Sequence, residues 1–380
     1  MTGRDFGTSS VGGENEALAV DPTPPPDLSG TSTVSSRLAS LDAFRGFTMF
    51  WIIGGRAVVS ALGNLGPSPI AGALAYQLTH TPWEGLRFYD IIWPAFMLMA
   101  GMSIPFSFAK RALTESRRQI LFGAFRRALI LFLLGSLRTS ISQDQFFLVE
   151  LSSALQPIGL AYLVASVLSF FSTRIQILCG ASILAVYAAL LSGSYENGAN
   201  LVASVDIQVL GRTHPEGWGT VLSAIPTIST TILGMILGHL LRSGRSARMK
   251  MSIIASCGAG GILLGLVLSP FIPIVMKLWT VSYGLLSAGW ACLGFLAFYW
   301  LMDIRGYRRW AFPFVVIGVN AIAAYVGSSV IHINHVVDIF TKGIAAQLGF
   351  LAALFSAGAK FLVAWLILLW MYRRKIYLKA

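Results

Sequence analysis

The sequence predicts an all-α fold: a polytopic integral membrane bundle of about ten transmembrane helices, with both termini cytoplasmic. Three observations lead there. Of the 380 residues, 55% are hydrophobic and 12% charged, with a mean hydropathy of +0.71, whereas about one quarter of a water-soluble domain is charged. The apolar residues gather in runs of roughly 20, the length that crosses a hydrocarbon core of about 30 Å. The basic residues behind the net charge of +12 fall in the gaps between those runs. They report topology, and no nucleic-acid partner is implied.

Residues 1–36 are rich in Gly, Ser, Thr and Pro, include PTPPPD at Pro22 to Asp27, and lack a basic stretch followed by an apolar one. They read as a disordered cytoplasmic tail, not a signal peptide. Residues 37–380 form one membrane domain. Its first span, Leu41 to Leu62, opens on SLDAFRG, where Asp42 and Arg45 lie three apart and can pair at the helix entrance. The second, Phe88 to Ala109, starts beside Asp90. Ile120 to Leu137, Val149 to Phe171 and Ile175 to Leu191 follow as the third to fifth. A long loop separates them from Thr220 to Leu241, Ile253 to Val275, Val281 to Met302, Trp310 to Ile331 and Leu348 to Tyr372. Gly and Pro inside these runs are tolerated in membrane helices.

The loops supply an independent check. Basic clusters follow the even-numbered spans: Lys110 to Arg127, Arg242 to Lys250, Arg305 to Arg309 and Arg373 to Lys379. Loops after odd spans hold mostly single cations such as Arg138, Arg212, Lys277 and Lys342. By the positive-inside rule the first set is cytoplasmic, so the loop carrying His80 faces outward.

His80 and Asp90 carry the chemical interest. An imidazole can take and return a proton near neutrality, so His80 is the candidate general base. The plainer reading is a loop histidine at the interface. Asp90, ten residues on, could accept one ring N–H, fix the tautomer and leave the other nitrogen as the base. Arg56, some fifteen residues into the first span, could line a polar cavity with Asp90 or Glu84. Trp83, Trp93, Trp279 and Trp310 fit an interfacial aromatic belt, and Trp83 and Glu84, next to His80, are also candidates for holding a substrate. Arg126, Arg127, Arg308 and Arg309, at cytoplasmic span ends, could grip a polyanionic cofactor. No metal site is predicted: His332 and His335 lack a carboxylate set, and Cys179, Cys257 and Cys292 lack ligand spacing.

Several segments, in order, resemble one family: SLDAFRGFTMFW at Ser40 to Trp51, HTPWEG at His80 to Gly85 followed by YDIIWPAFMLMAG, LQPIGLAY at Leu155 to Tyr162, HPEG at His214 to Gly217, WTVSYGLLSAGW at Trp279 to Trp290, and GYRRWAFPFVVIGVNAIAAYV at Gly306 to Val326. The chain is similar to bacterial members of the heparan-α-glucosaminide N-acetyltransferase family. That resemblance implies a transmembrane acetyltransferase of the bacterial inner membrane, with acetyl-CoA as co-substrate from the cytoplasm and an amino sugar or glycan as acceptor on the far side. It implies His80 as the catalytic residue, Asp90 as its companion, and a homodimer. The chain departs from the family pattern at Arg56, where asparagine is frequent, at Pro157, where arginine is common, and at His214, where aspartate is common. Two other readings use the same residues: a proton-coupled secondary transporter built on Asp90, His80 and Arg56, and a type three acyltransferase, which usually has a histidine near the end of span one that is absent here.

Overall fold

The structure is a computed structural model describing residues 38–63, 68–151, 153–330 and 333–378, without the side chains of 56, 60, 333, 334 and 350. The expected tail, residues 1–36, and His332 lie outside the described residues. Fourteen α-helices are described: α1 (Ala39–Gly63), α2 (Pro69–Gln77), α3 (Ile92–Arg111), α4 (Arg117–Ser142), α5 (Leu155–Leu168), α6 (Thr173–Leu190), α7 (Leu201–Leu210), α8 (Ala224–Arg242), α9 (Ala247–Leu268), α10 (Val281–Tyr299), α11 (Phe312–Val319), α12 (Ala321–Val330), α13 (Ile333–Ala345) and α14 (Ala352–Arg373). The described residues contain no β-strand, only an isolated bridge between Glu84 and Val275.

Seven of the helices are long and apolar enough to cross a membrane, and nine spans result if each bent pair counts as one. The chain is an integral multi-pass membrane protein. Where the sequence predicts a span over Val149 to Phe171, the helix is α5, only 14 residues long. At 1.5 Å per residue it rises about 21 Å, less than a full hydrocarbon core. Where one span is expected from Trp310 to Ile331, the path is broken at Asn320 and bends by 63° between α11 and α12. The break frees backbone groups from the helical ladder, and the buried Asn320 amide ties that point to the end of the chain. Its Nδ2 donates to the Ile376 carbonyl at 3.1 Å and its Oδ1 accepts from the Leu378 N–H at 3.2 Å.

Burial sorts the helices into layers. In the most apolar windows of α8 and of the α3 segment, 72% and 61% of residues are buried, against 17% for α6 and α9 and 11% for α14. The first pair is the interior; the others present Leu178, Leu263, Leu264 and Leu366 outward, as expected where the surroundings are lipid tails. The interior closes through small residues. A Cβ on Gly101 would run into the Thr231 carbonyl of α8, and one on Gly46 into the Phe314 carbonyl of α11. Lipid gives helices no hydrophobic reason to associate, so this close backbone approach, with its dispersion gain, is what holds them.

Polar side chains mark the two ends. At one end Ser116, Ser172 and Ser246 cap the starts of α4, α6 and α9, and the Asp42–Arg45 pair forms at 3.2 Å. Arg111 binds Glu115 at 2.5 Å there, and Lys250 donates to the Leu241 carbonyl at 2.8 Å. At the other end the connections before α3, α8 and α10 are knitted together: Gly85 N donates to the Ile274 carbonyl at 2.8 Å and Gly219 N to the Lys277 carbonyl at 2.9 Å. That second end carries His80.

The glycine contacts set an expected outcome. Gly46→Ala should lower stability by about 1–3 kcal/mol, because the methyl meets fixed backbone. Gly260→Ala in α9, where a Cβ meets nothing within 4 Å, should leave stability unchanged or slightly raised. Thermal unfolding of both variants in the same detergent checks the difference.

Candidate active site

The site begins with a local turn. Arg87 precedes a 3-10 turn over Phe88–Ile91, and the Asp90 carboxylate reaches back to accept the Arg87 N–H at 2.9 Å. An acidic side chain three residues into a helical turn meets an N–H that has no helical partner. Two more donors come from Thr81, whose hydroxyl lies 2.6 Å and N–H 3.4 Å from Asp90 Oδ2. The Asp90 carbonyl accepts from the Tyr283 hydroxyl of α10 at 2.7 Å. Asp90 is wholly buried. Burying a carboxylate is expensive unless each lone pair finds a donor, and hydrogen bonds to a charged group contribute about 1.5–3 kcal/mol each.

The remaining oxygen faces His80. Asp90 Oδ1 lies 2.8 Å from His80 Nδ1. With the carboxylate as acceptor, Nδ1 carries the hydrogen and Nε2 holds the lone pair. The imidazole is 39% exposed while Asp90 is not exposed at all, so the pair has one protected and one open end. Arg87 steadies the backbone below, donating to the Thr79 hydroxyl at 2.7 Å and the His80 carbonyl at 3.1 Å and lying 3.9 Å from the centre of the Tyr76 ring. Tyr89 and Trp218 flank the imidazole with ring centres 4.7 and 5.2 Å away.

From Trp218 an aromatic path leads inward through Trp93, 6.4 Å away, to Trp279 and Tyr283. Trp93 also lines a narrow apolar crevice with Met49, Phe96, Leu155, Ile158 and Tyr325, between α1, α3, α5 and α12. The expected aromatic belt therefore needs correction at Trp93, which lines this crevice and packs on Trp279, and at Trp279 itself. Trp279 is 1% exposed and packs between Trp93 and Tyr283, because it belongs to the bundle interior and not to a lipid-facing surface.

Other candidates fall in several places. Trp83 turns to the loop before α7, its Nε1 donating to the Tyr195 carbonyl at 3.0 Å. Glu84 has its backbone in the bridge to Val275 and its side chain exposed. The Arg56 side chain lies outside the described residues. At the basic end, Arg127 lies 4.5 Å from the centre of the Tyr162 ring, and its buried Nε has no hydrogen-bond partner. Arg308 donates to the Met302 carbonyl at 3.1 Å and sits 3.8 Å from Asp303, while Arg126 and Arg309 are exposed. Among the described residues no three His, Cys, Asp or Glu side chains gather to hold a metal.

Sequence reasoning missed Thr81, Tyr89, Arg87 and Trp218. Thr81 and Arg87 were findable from their place between His80 and Asp90. Trp218 was not, since 138 positions separate it from His80. It arrives on a strap, residues 211–220. Arg212 forms an ion pair with the buried Glu150, and Asp206 Oδ1 accepts from the Thr220 hydroxyl at 2.7 Å and from Val221 N at 3.0 Å. His214 on the strap is held below the usual histidine range, chiefly by burial, with Arg212 and Lys277 acting the same way against Glu150 and Glu216.

Two curated proteins are similar to the chain with this geometry. The Mus musculus heparan-alpha-glucosaminide N-acetyltransferase is 24% identical over 375 residues, covering 78% of the chain and 54% of the relative. The Homo sapiens protein of the same name is 23% identical over 400 residues, covering 85% and 57%. The likeness is to N-acetyltransferases. It supports a family-level resemblance and a transferase reading, and the chain spans about half the length of the curated relatives it matches. No protein-family model matches the chain.

The depressed His214 titration has a sign. Folding favours its neutral form, so the contribution is present above about pH 6.5 and is lost as pH falls through the lower folded-state value. A histidine-ring NMR titration should place the His214 midpoint below about 6.5. Arg212→Gln should move it upward by removing a nearby cation.

Proposed function

We propose that this chain is a transmembrane acetyltransferase that moves an acetyl group from acetyl-CoA to an amino sugar or glycan. The carrying observation is the His80–Asp90 pair, in which a buried carboxylate engages Nδ1 at 2.8 Å, leaving Nε2 outside that bond on a ring that is 39% exposed. The likeness to two N-acetyltransferases supports the group transferred. In this reading the chain lies in a bacterial cytoplasmic membrane with both termini inside, His80 near the outer face, and works as a homodimer.

An amine attacking a thioester forms a C–N bond, breaks the C–S bond and must lose a proton. In direct transfer, His80 Nε2 takes that proton as the tetrahedral centre forms and can return it to the departing CoA sulfur. In the two-step route Nε2 attacks the thioester carbonyl itself, the C–S bond breaks with CoA leaving as the thiolate, and the acetyl-imidazolium then acylates the amine, whose proton converts the thiolate to the thiol. Asp90 serves both routes. It fixes the tautomer and stabilises positive charge on the ring.

The donor is a polyanion whose reactive end is small and neutral. Arg126, Arg127, Arg308 and Arg309 at the basic end suit its phosphates, the unpartnered Arg127 Nε being a donor in search of an acceptor. The apolar crevice between α1, α3, α5 and α12 suits the thin pantetheine arm on its way to Trp93 and His80. Arg56, Trp83 and Glu84 remain the acceptor-side candidates from the sequence.

Purified protein incubated with acetyl-CoA and a panel of amino sugars should yield N-acetylated products by mass spectrometry. His80→Ala and Asp90→Asn, correctly inserted, should each reduce turnover by at least about 100-fold. Asparagine at 90 turns an amide N–H₂ towards either the donors of Thr81 and Arg87 or the His80 ring, so one side of the anchor is lost, and the charge that stabilises a protonated ring goes with it. Undiminished turnover in His80→Ala protein would remove the imidazole from the reaction.

A further inference from the structure

The strap that brings Trp218 to His80 turns sharply over His214, Pro215, Glu216 and Gly217. Pro215 fixes its φ where a turn needs it, Gly217 takes a positive φ of 73°, and the Gly217 N–H donates to the His214 carbonyl at 2.9 Å. A third lock comes from a side chain: the Glu216 N–H donates to His214 Nδ1 at 3.2 Å. Asp and Asn side chains commonly hold turns in this way, accepting from the backbone two residues on. Here an imidazole does so, and only a neutral ring with its hydrogen on Nε2 has the lone pair to accept.

We propose that His214 is a positioning residue for His80: its neutral ring holds the turn that sets Trp218 against the imidazole, and its protonation releases that turn. The proposal rests on the acetyltransferase reading of His80 and adds a proton-dependent control of that site. The line of contacts is short. Glu216, whose N–H the His214 ring accepts, takes the Trp218 Nε1 hydrogen on Oε2 at 2.9 Å and the Lys277 Nζ hydrogen on its carbonyl at 2.6 Å. The Trp218 ring centre then lies 5.2 Å from that of His80.

A proton on Nδ1 sets N–H against N–H, so the bond from Glu216 is lost. It also adds a cation among four charged groups: Glu150 from the segment before α5, Lys277 from the segment before α10, and Arg212 and Glu216 of the strap itself. The new charge competes with Trp218 for the Glu216 carboxylate and with Arg212 for Glu150, the pair that anchors the start of the strap. Burial favours the neutral ring, with Arg212 and Lys277 acting the same way and the two carboxylates opposing them. The turn is therefore closed at neutral pH and opens as pH falls through a midpoint below about 6.5. An asparagine in the same place would accept the same N–H at every pH.

The test follows the Trp218 indole N–H signal by NMR in full-length protein in detergent, the signal being assigned by its loss in Trp218→Phe. His80→Gln is the background, so that no ring charge at that position contributes. As pH falls from about 8, the signal should move with the midpoint of the His214 ring. Adding His214→Asn should hold it at its alkaline position. With His80 intact and acetyl-CoA and glucosamine as substrates, His214→Asn should turn over like the wild type at about pH 8. About one unit below the His214 midpoint it should exceed the wild type by about three- to tenfold, the worth of one hydrogen bond. An indole signal that ignores pH, one that responds equally in His214→Asn, or a turnover ratio equal at both pH values would overturn the proposal. No turnover by either protein, with the indole response present, would instead strike the acetyltransferase reading and leave the link from His214 to Trp218 in place.

Discussion

A carboxylate sealed from solvent at the mouth of a helical bundle organises this protein. Asp90 gathers donors from Thr81 and Arg87 and the His80 ring, while its carbonyl holds the Tyr283 hydroxyl on α10. A buried charge with one donor too few would be strongly destabilising, so the loop before α3 has little freedom once the bundle forms. The result is an imidazole held at Nδ1 by a buried carboxylate while the ring itself stays partly exposed. Rigid support under an exposed group is the arrangement acid–base chemistry needs.

The bundle beneath is held by a different physics. Backbone approaches at Gly46 and Gly101 bring α1 against α11 and α3 against α8, and the sides of α6, α9 and α14 are left to lipid. This divides labour between the ends. The basic end collects arginines with partly satisfied donors, such as Arg127, while the other end collects interlocked loops, among them the strap carrying Trp218. Between them the apolar crevice bordered by Trp93 lies near the imidazole through two ring contacts.

The sequence by itself determined the helical membrane class, because an apolar run of span length has few other ways to satisfy its backbone in lipid. It raised the His80–Asp90 contact as a possibility, since ten residues of loop and turn are a short tether, and the structure decided it through the cap at Arg87 that folds the carboxylate back. It marked Trp218 only as part of a loop beyond HPEG, and it read Trp279 as a belt residue. Tertiary structure decided both, because side-chain neighbours across 138 positions depend on how helices pack and not on local periodicity. The same holds for the break at Asn320, which an apolar run conceals since hydropathy carries no record of hydrogen bonds to the far end of the chain. The short α5 and the separate settings of Arg127 and Arg308 were likewise fixed by packing. Composition and short-range spacing set what each segment must be; the close contacts between segments set which residues share a site.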